Sequence, residues 1–109
     1  MKYMFIIFNE QDAEEMSPAD EADWQAFGVE AAEVATFVGT RALRSPETAT
    51  VVSVRDGETF MTDGPFIETK EHFGGYVIFD CPDLDVALDL AARMPCAPTG
   101  FIEVRPILE

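Results

Sequence analysis

The side chains best equipped for chemistry sit in one run, Thr62-Asp63-Gly64-Pro65-Phe66-Ile67-Glu68-Thr69-Lys70-Glu71-His72-Phe73-Gly74-Gly75-Tyr76. His72 is the one imidazole of the chain, so any histidine-based general acid–base step has to use it. Asp63 and Glu68 are the carboxylates of the same run that could share a proton with it. Asp63 and His72 are the candidate catalytic pair, as base and acid of a cofactor-free proton transfer. Asp63 also has a structural use, because an Asp ahead of a tight turn folds its carboxylate onto nearby backbone N–H groups. Gly64, Pro65, Phe66, Glu68 and Lys70 are the candidate ligand contacts of this loop. Lys70 suits an anionic ligand, or alternatively an ion pair with Glu68 or Glu71. His72 and Glu68 supply two metal ligands at most, so no metal is expected. No Gly-rich phosphate loop, Ser-His-Asp set or cofactor fingerprint is present, and no cofactor is expected.

These residues need elements to hold them. Tyr3 to Phe8 is an unbroken apolar run and reads as a strand buried on both faces, within Lys2 to Asn9. Ser17 has the place of an N-cap, with Pro18 at the first helical position and Asp20 in the first turn. Trp24, Phe27, Ala31, Val34 and Val38 recur at helical spacing, which predicts a helix over 18–38 with Gly39 as its stop. Thr40 to Leu43 is a short strand. Thr50 to Val54 and Glu58 to Thr62 flank Asp56-Gly57, the dipeptide of a type I′ hairpin turn. The run 63–75 is a loop, and Gly75 to Cys81 a further buried strand. Gly74-Gly75 lets a ligand or another backbone come close where that strand begins. Asp83 caps a second helix with Leu84, Leu88 and Ala91 on one face, ended by Pro95. Phe101 to Arg105 alternates as a last strand. Without the hairpin the order is βαββαβ, a ferredoxin-like α+β pattern. Two helices cover one face of such a sheet, and a second copy is the simplest cover for the other, since exposed apolar area costs about 25 cal/mol per Å².

The chain has 109 residues, which fits one domain over 1–109. Its formal net charge is −14, with seven scattered Lys and Arg and no basic cluster. Binding to a phosphate backbone draws on clustered cations, so nucleic acid and anionic membranes are disfavoured partners. The acids concentrate between Glu10 and Glu33, where a solvated helix face is the simplest use and an acidic protein–protein surface the alternative. The apolar run Met4 to Phe8 is far too short to span a bilayer. Cys81 and Cys96 form no CxxC and sit among apolar neighbours, so free buried thiols in the reducing cytoplasm are expected.

The run DGPFIETKEHFGGYVIF closely resembles the signature of the DGPF group of YCII-related proteins. Met1-Lys2-Tyr3-Met4, Val54-Arg55-Asp56-Gly57, Asp83-Leu84-Asp85 and Ile102-Glu103-Val104-Arg105-Pro106 also look like this family. The resemblance implies a ferredoxin-like domain that pairs face to face as a dimeric α+β barrel. It also implies a His early in the first helix and an Asp near the end of the second, the pair behind the family's expected enzymatic chemistry. Here the run 18–38 holds no His and the second helix closes Ala92-Arg93-Met94-Pro95, so that pair is missing. Some relatives accompany sigma-factor-like regulators, which implies a regulatory or ligand-sensing role by association. The leading expectation is a small-molecule-binding homodimer whose pocket is lined by the loop Asp63 to His72 and the inner sheet face. The alternative is an enzyme of acid–base chemistry or isomerisation on a small polar substrate.

Overall fold

The apolar run at the start of the chain becomes a central strand. In the computed structural model, which describes residues 1–109, β1 (Lys2–Asn9) pairs antiparallel with β5 (His72–Asp80) on one side and β6 (Phe101–Pro106) on the other. β2 (Thr36–Ala42) pairs with the far side of β5, giving the order β2-β5-β1-β6. With α1 (Pro18–Ala31) and α2 (Leu84–Arg93) this is the ferredoxin-like α+β arrangement. β3 (Thr50–Arg55) and β4 (Glu58–Asp63) are inserted as a hairpin paired only with each other. Its turn holds Asp56 at φ 52° and Gly57 at φ 78°, the two positive values that a type I′ turn needs.

Alternation along β1 and β5 sends Tyr3, Phe5, Val77 and Phe79 to one side, where they bury against Phe27, Ala31, Ala87 and Leu90 of the helices. Phe79 is the hub: Phe5, Phe27 and Phe37 meet it edge-to-face at 5.6, 6.1 and 5.9 Å. Edge-to-face pairs add to the hydrophobic stabilisation of such rings, roughly 2 kcal/mol or more for a fully buried Phe. The opposite side carries Met4, Ile6 and Phe8 of β1, Ile78 and Tyr76 of β5, and Phe101 of β6, and neither helix covers it.

Two boundaries and one buried face differ from expectation. α1 ends at Ala31 instead of Val38, and Thr36 to Val38 enter β2. β-branched and aromatic side chains lose rotamer freedom in a helix and suit a strand, and here Phe37 also gains its contact with Phe79. In α2 the buried residues are Ala87, Leu90 and Ala91, while Leu84 and Leu88 are about half exposed. The stripe that continues into buried Met94 and Cys96 prevails. Finally, β5 starts at His72, so His72 lies on a strand and the connecting loop is 64–71.

Candidate functional site

A single extra residue decides where the imidazole points. β1 and β5 hold one register from Lys2 opposite Asp80 to Ile7 opposite Gly75. Beyond that Phe8 faces Phe73 and Asn9 faces His72, leaving Gly74 as a bulge. Side chains alternate across a strand, so a slip of one residue exchanges the faces of everything after it. Phe73 turns to the uncovered side, where its ring meets Phe8 at 5.9 Å. His72 turns to the helix side.

There Nε2 of His72 stands 2.8 Å from Oδ1 of Asp12. The two side chains are 15% and 21% exposed, so the pair is largely shielded from water yet reachable. With a carboxylate this close, a proton on Nε2 is favoured, and the neutral ring then keeps Nδ1 as an acceptor.

Asp12 is itself held in place. It lies in the segment 10–16, whose Gln11 Nε2 donates to the Glu15 carbonyl at 3.2 Å and to Asp20 Oδ2 at 3.4 Å. Asp20 is fixed by a capping box: it accepts from the Ser17 N–H at 2.9 Å, while its own N–H donates to Ser17 Oγ at 3.1 Å. The Ser17 N–H, then the Ser17 hydroxyl, hold the Asp20 carboxyl below its ordinary value. On the other flank Glu14 accepts from the Ser45 N–H at 3.0 Å. The segment is therefore tied to both α1 and the connection after β2.

Behind this segment a cleft of about 500 Å³ opens between the N-terminal half of α1 and the sheet. Ile7, Thr40, Ala42 and Gly75 line its sheet side, with Trp24 from α1 and Thr99 at the far edge. The space exists because the floor is small. A Cβ on Gly75 would meet the Arg41 carbonyl at 2.6 Å, so strand packing demands glycine there. Asp12 lies between Gln11 and Ala13, both lining residues, and His72 is the register partner of Asn9, a third. Neither Asp12 nor His72 lines the cleft itself; the pair stands one residue back from its wall. Ile7, Met16, Trp24 and Val77 give it apolar walls, with Asn9, Gln11 and Thr40 as polar groups among them, which suits a small molecule with one or two polar groups.

The expected loop stands elsewhere. Asp63 ends β4 opposite Thr50, is exposed, and its carboxylate accepts no hydrogen bond. The turn beyond it is built instead by Gly64, at φ 95°, whose N–H donates to the Ala49 carbonyl at 2.8 Å. Phe66 is 84% exposed, and Glu68 and Lys70 are exposed without an ion pair. None of Asp63, Gly64, Pro65, Phe66, Glu68 and Lys70 lines the cleft. The carboxylate that reaches His72 is Asp12, with no hydrogen bond or ion pair from Asp63 or Glu68. No three His, Cys, Asp or Glu side chains converge as a metal site. Cys81 and Cys96 are buried free thiols, and burial pushes both above their ordinary value.

Comparison with known proteins agrees with this architecture. A segment of 53 residues is 51% identical to the "Uncharacterized protein R00369" of Rhizobium meliloti (strain 1021), covering 47% of this chain and 43% of that protein. The match therefore spans less than half of that relative's length. The profile of the YCII-related domain matches residues 1–109, end to end. With the ferredoxin-like order of its strands and the match along its whole length, the chain belongs to the YCII-related domain family.

Proposed function

We propose that this domain binds a small molecule in the cleft between α1 and the sheet, and that it works as a face-to-face homodimer. The observation that carries the first part is the cleft of about 500 Å³, whose lining residues Asn9, Gln11 and Ala13 are the neighbours of the His72–Asp12 pair. An aromatic wall, a floor kept small by Gly75 and Ala42, and a few polar groups at the rim are what a small-molecule site requires. The apolar side of the sheet that neither helix covers supports the second part. The two buried, unpaired thiols favour a reducing cytoplasmic setting. The resemblance adds a regulatory use, in which the ligand alters an association, beside a sigma-factor-like protein, instead of being consumed.

A thermal-shift screen tests the binding. A ligand present at about a hundred times its Kd stabilises the fold by about 2.7 kcal/mol, a shift of many degrees for a domain of this size. Ala42→Leu fills the floor from an exposed position, and its melting point should not respond to the same compounds. Hits that stabilise both proteins equally, or no hits from a broad library, contradict the cleft as the site.

The pairing of His72 with Asp12 favours a second reading, proton transfer or isomerisation without a cofactor. Nδ1 of His72 is the base and Asp12 the group that orients it and stabilises the imidazolium. Asp12 takes the place expected for Asp63. The loop 64–71 remains a candidate contact for a ligand or partner that reaches beyond the cleft. His72→Gln keeps a donor toward Asp12 and removes the base, so it should bind the ligand and lose any exchange of the ligand's acidic protons with solvent deuterium. Equal exchange rates in both proteins would remove this reading.

A further inference from the structure

We propose that the β3–β4 hairpin is an intermolecular arm that lays its uncharged face on the uncovered sheet surface of a second copy of this chain. The inference builds on the homodimer proposed above and assigns a distinct contact within it. A lone two-stranded hairpin is marginal in water, and this one pairs with no other strand. Residues directly opposite each other in a hairpin share a face. Val52 faces Met61 and Val54 faces Thr59, whereas Arg55 and Glu58 form a pair on the reverse side. Val52, Val54 and Met61 are 58%, 55% and 71% exposed. The arm thus presents an apolar strip with no charge between Thr50 and Thr59, and Asp63 only at its base.

The shape of the chain is that of half an assembly. Its radius of gyration is 15.9 Å, against about 13 Å for a compact chain of this length. Its accessible surface is 7648 Å², against about 6,000 Å² for a folded monomer of this mass. The excess, roughly 1,600 Å², is about twice what one partner buries in a standard interface.

Charge selects a second copy over an unrelated basic partner. The chain carries −14, yet by register its uncovered sheet side holds Lys2, Arg41 and Arg105 against Asp80 and Glu103. Three cations and two carboxylates leave that side close to neutral, so two copies meet there while their acidic helices point apart. Reach is sufficient as well. Six residues of strand extend about 20 Å, and crossing four strands takes roughly 14 Å. Both surfaces lie on one chain, so a two-fold axis lets each copy give an arm and receive one.

Sedimentation equilibrium of the full chain across the micromolar range tests this, with Met61→Glu on the arm and Phe101→Glu on the receiving side. Both positions are well exposed in the single chain (71% and 65%), so circular dichroism should be unchanged. The expected result is a wild-type dimer, with each variant raising the dimer Kd by about tenfold or more. A photoreactive side chain at position 61 in mixed ¹⁴N/¹⁵N protein should give isotopically mixed cross-links to β1, β5 or β6. If Met61→Glu dimerises as tightly as wild type while Phe101→Glu does not, the arm is overturned and the face-to-face dimer stands. Cross-links found only within one chain overturn the arm likewise. A wild-type monomer throughout the range overturns both.

Discussion

The carboxylate of Asp12 stands 2.8 Å from Nε2 of His72 in a largely shielded spot, which favours a proton on that nitrogen. Removing that partner leaves a largely shielded imidazole without the carboxylate beside it, and interactions with charged groups are the stronger ones. Asp12→Ala should therefore lower the urea-unfolding free energy by about 1–2 kcal/mol. Asp12→Asn, which keeps an acceptor without the charge, should lose less. Two equal losses would mean that the carboxylate charge contributes nothing. The thiols give a pH-dependent counterpart. Burial raises the folded values of Cys81 and Cys96 above the ordinary 9.0. The neutral thiols therefore contribute stability that is fully present below that value and is lost as pH rises through it. Wild type should lose more stability on crossing 9.0 than Cys96→Ala does, as read from urea midpoints on either side. At this scale the sequence showed half of the pair. A single His was conspicuous. Asp12 was one acid among the nine between Glu10 and Glu33, and only the antiparallel pairing of β1 with β5 singles it out.

Among the elements, the Gly74 bulge has the largest consequence. Inserting one residue between Ile7 and Phe8, opposite Gly74, gives Gly74 a partner and restores one register along β5, which turns His72 to the uncovered side and Phe73 toward the helices. The insertion variant should lose the Asp12 contact, seen as a changed imidazole spectrum, whereas deleting Gly74 keeps Asn9 opposite His72 and should leave it in place. An unchanged imidazole spectrum would mean that the bulge does not set its direction. The start of α1 gives a second test. Hydrogen bonds from Ser17 hold the Asp20 carboxyl below its ordinary 3.8. A depressed folded value means that the contribution is present above the ordinary carboxylate range and disappears as pH falls through the folded value. Asp20→Asn should accordingly be less stable than wild type near neutrality, and the difference should close in acid. The cap and the hairpin turn were legible because Ser17-Pro18 and Asp56-Gly57 carry their geometry locally. The bulge was not, since Gly74-Gly75 advertises close approach without saying which glycine is the extra one. The end of α1 was misplaced because Val34 and Val38 continue a helical spacing that Phe37 and its neighbours abandon for the sheet.

At the scale of the whole molecule, charge and shape pull in opposite directions. A chain at −14 repels itself, and added salt screens such repulsion over a Debye length of about 8 Å at physiological strength. Raising ionic strength from very low to physiological should raise the melting point and tighten the dimer. A partner bound to the acidic α1 region would respond the other way, releasing as salt rises. The order of strands and helices was legible from periodicity and turn residues, and so was the need to cover one side of the sheet. The cleft was not, because it depends on how far the first half of α1 stands off a floor of Gly75 and Ala42.

The central claim is that the cleft beside His72 and Asp12 is where a ligand sits. A fragment titration followed by ¹H–¹⁵N NMR tests it most directly, because the chain has one His and one Trp: Trp24 lines the cleft and His72 stands beside its lining residue Asn9. In the free protein the His72 ring should show its proton on Nε2, and compounds that bind should shift both that ring and the Trp24 indole. A ring protonated on Nδ1, or ligands that bind and leave both signals where they were, would contradict it.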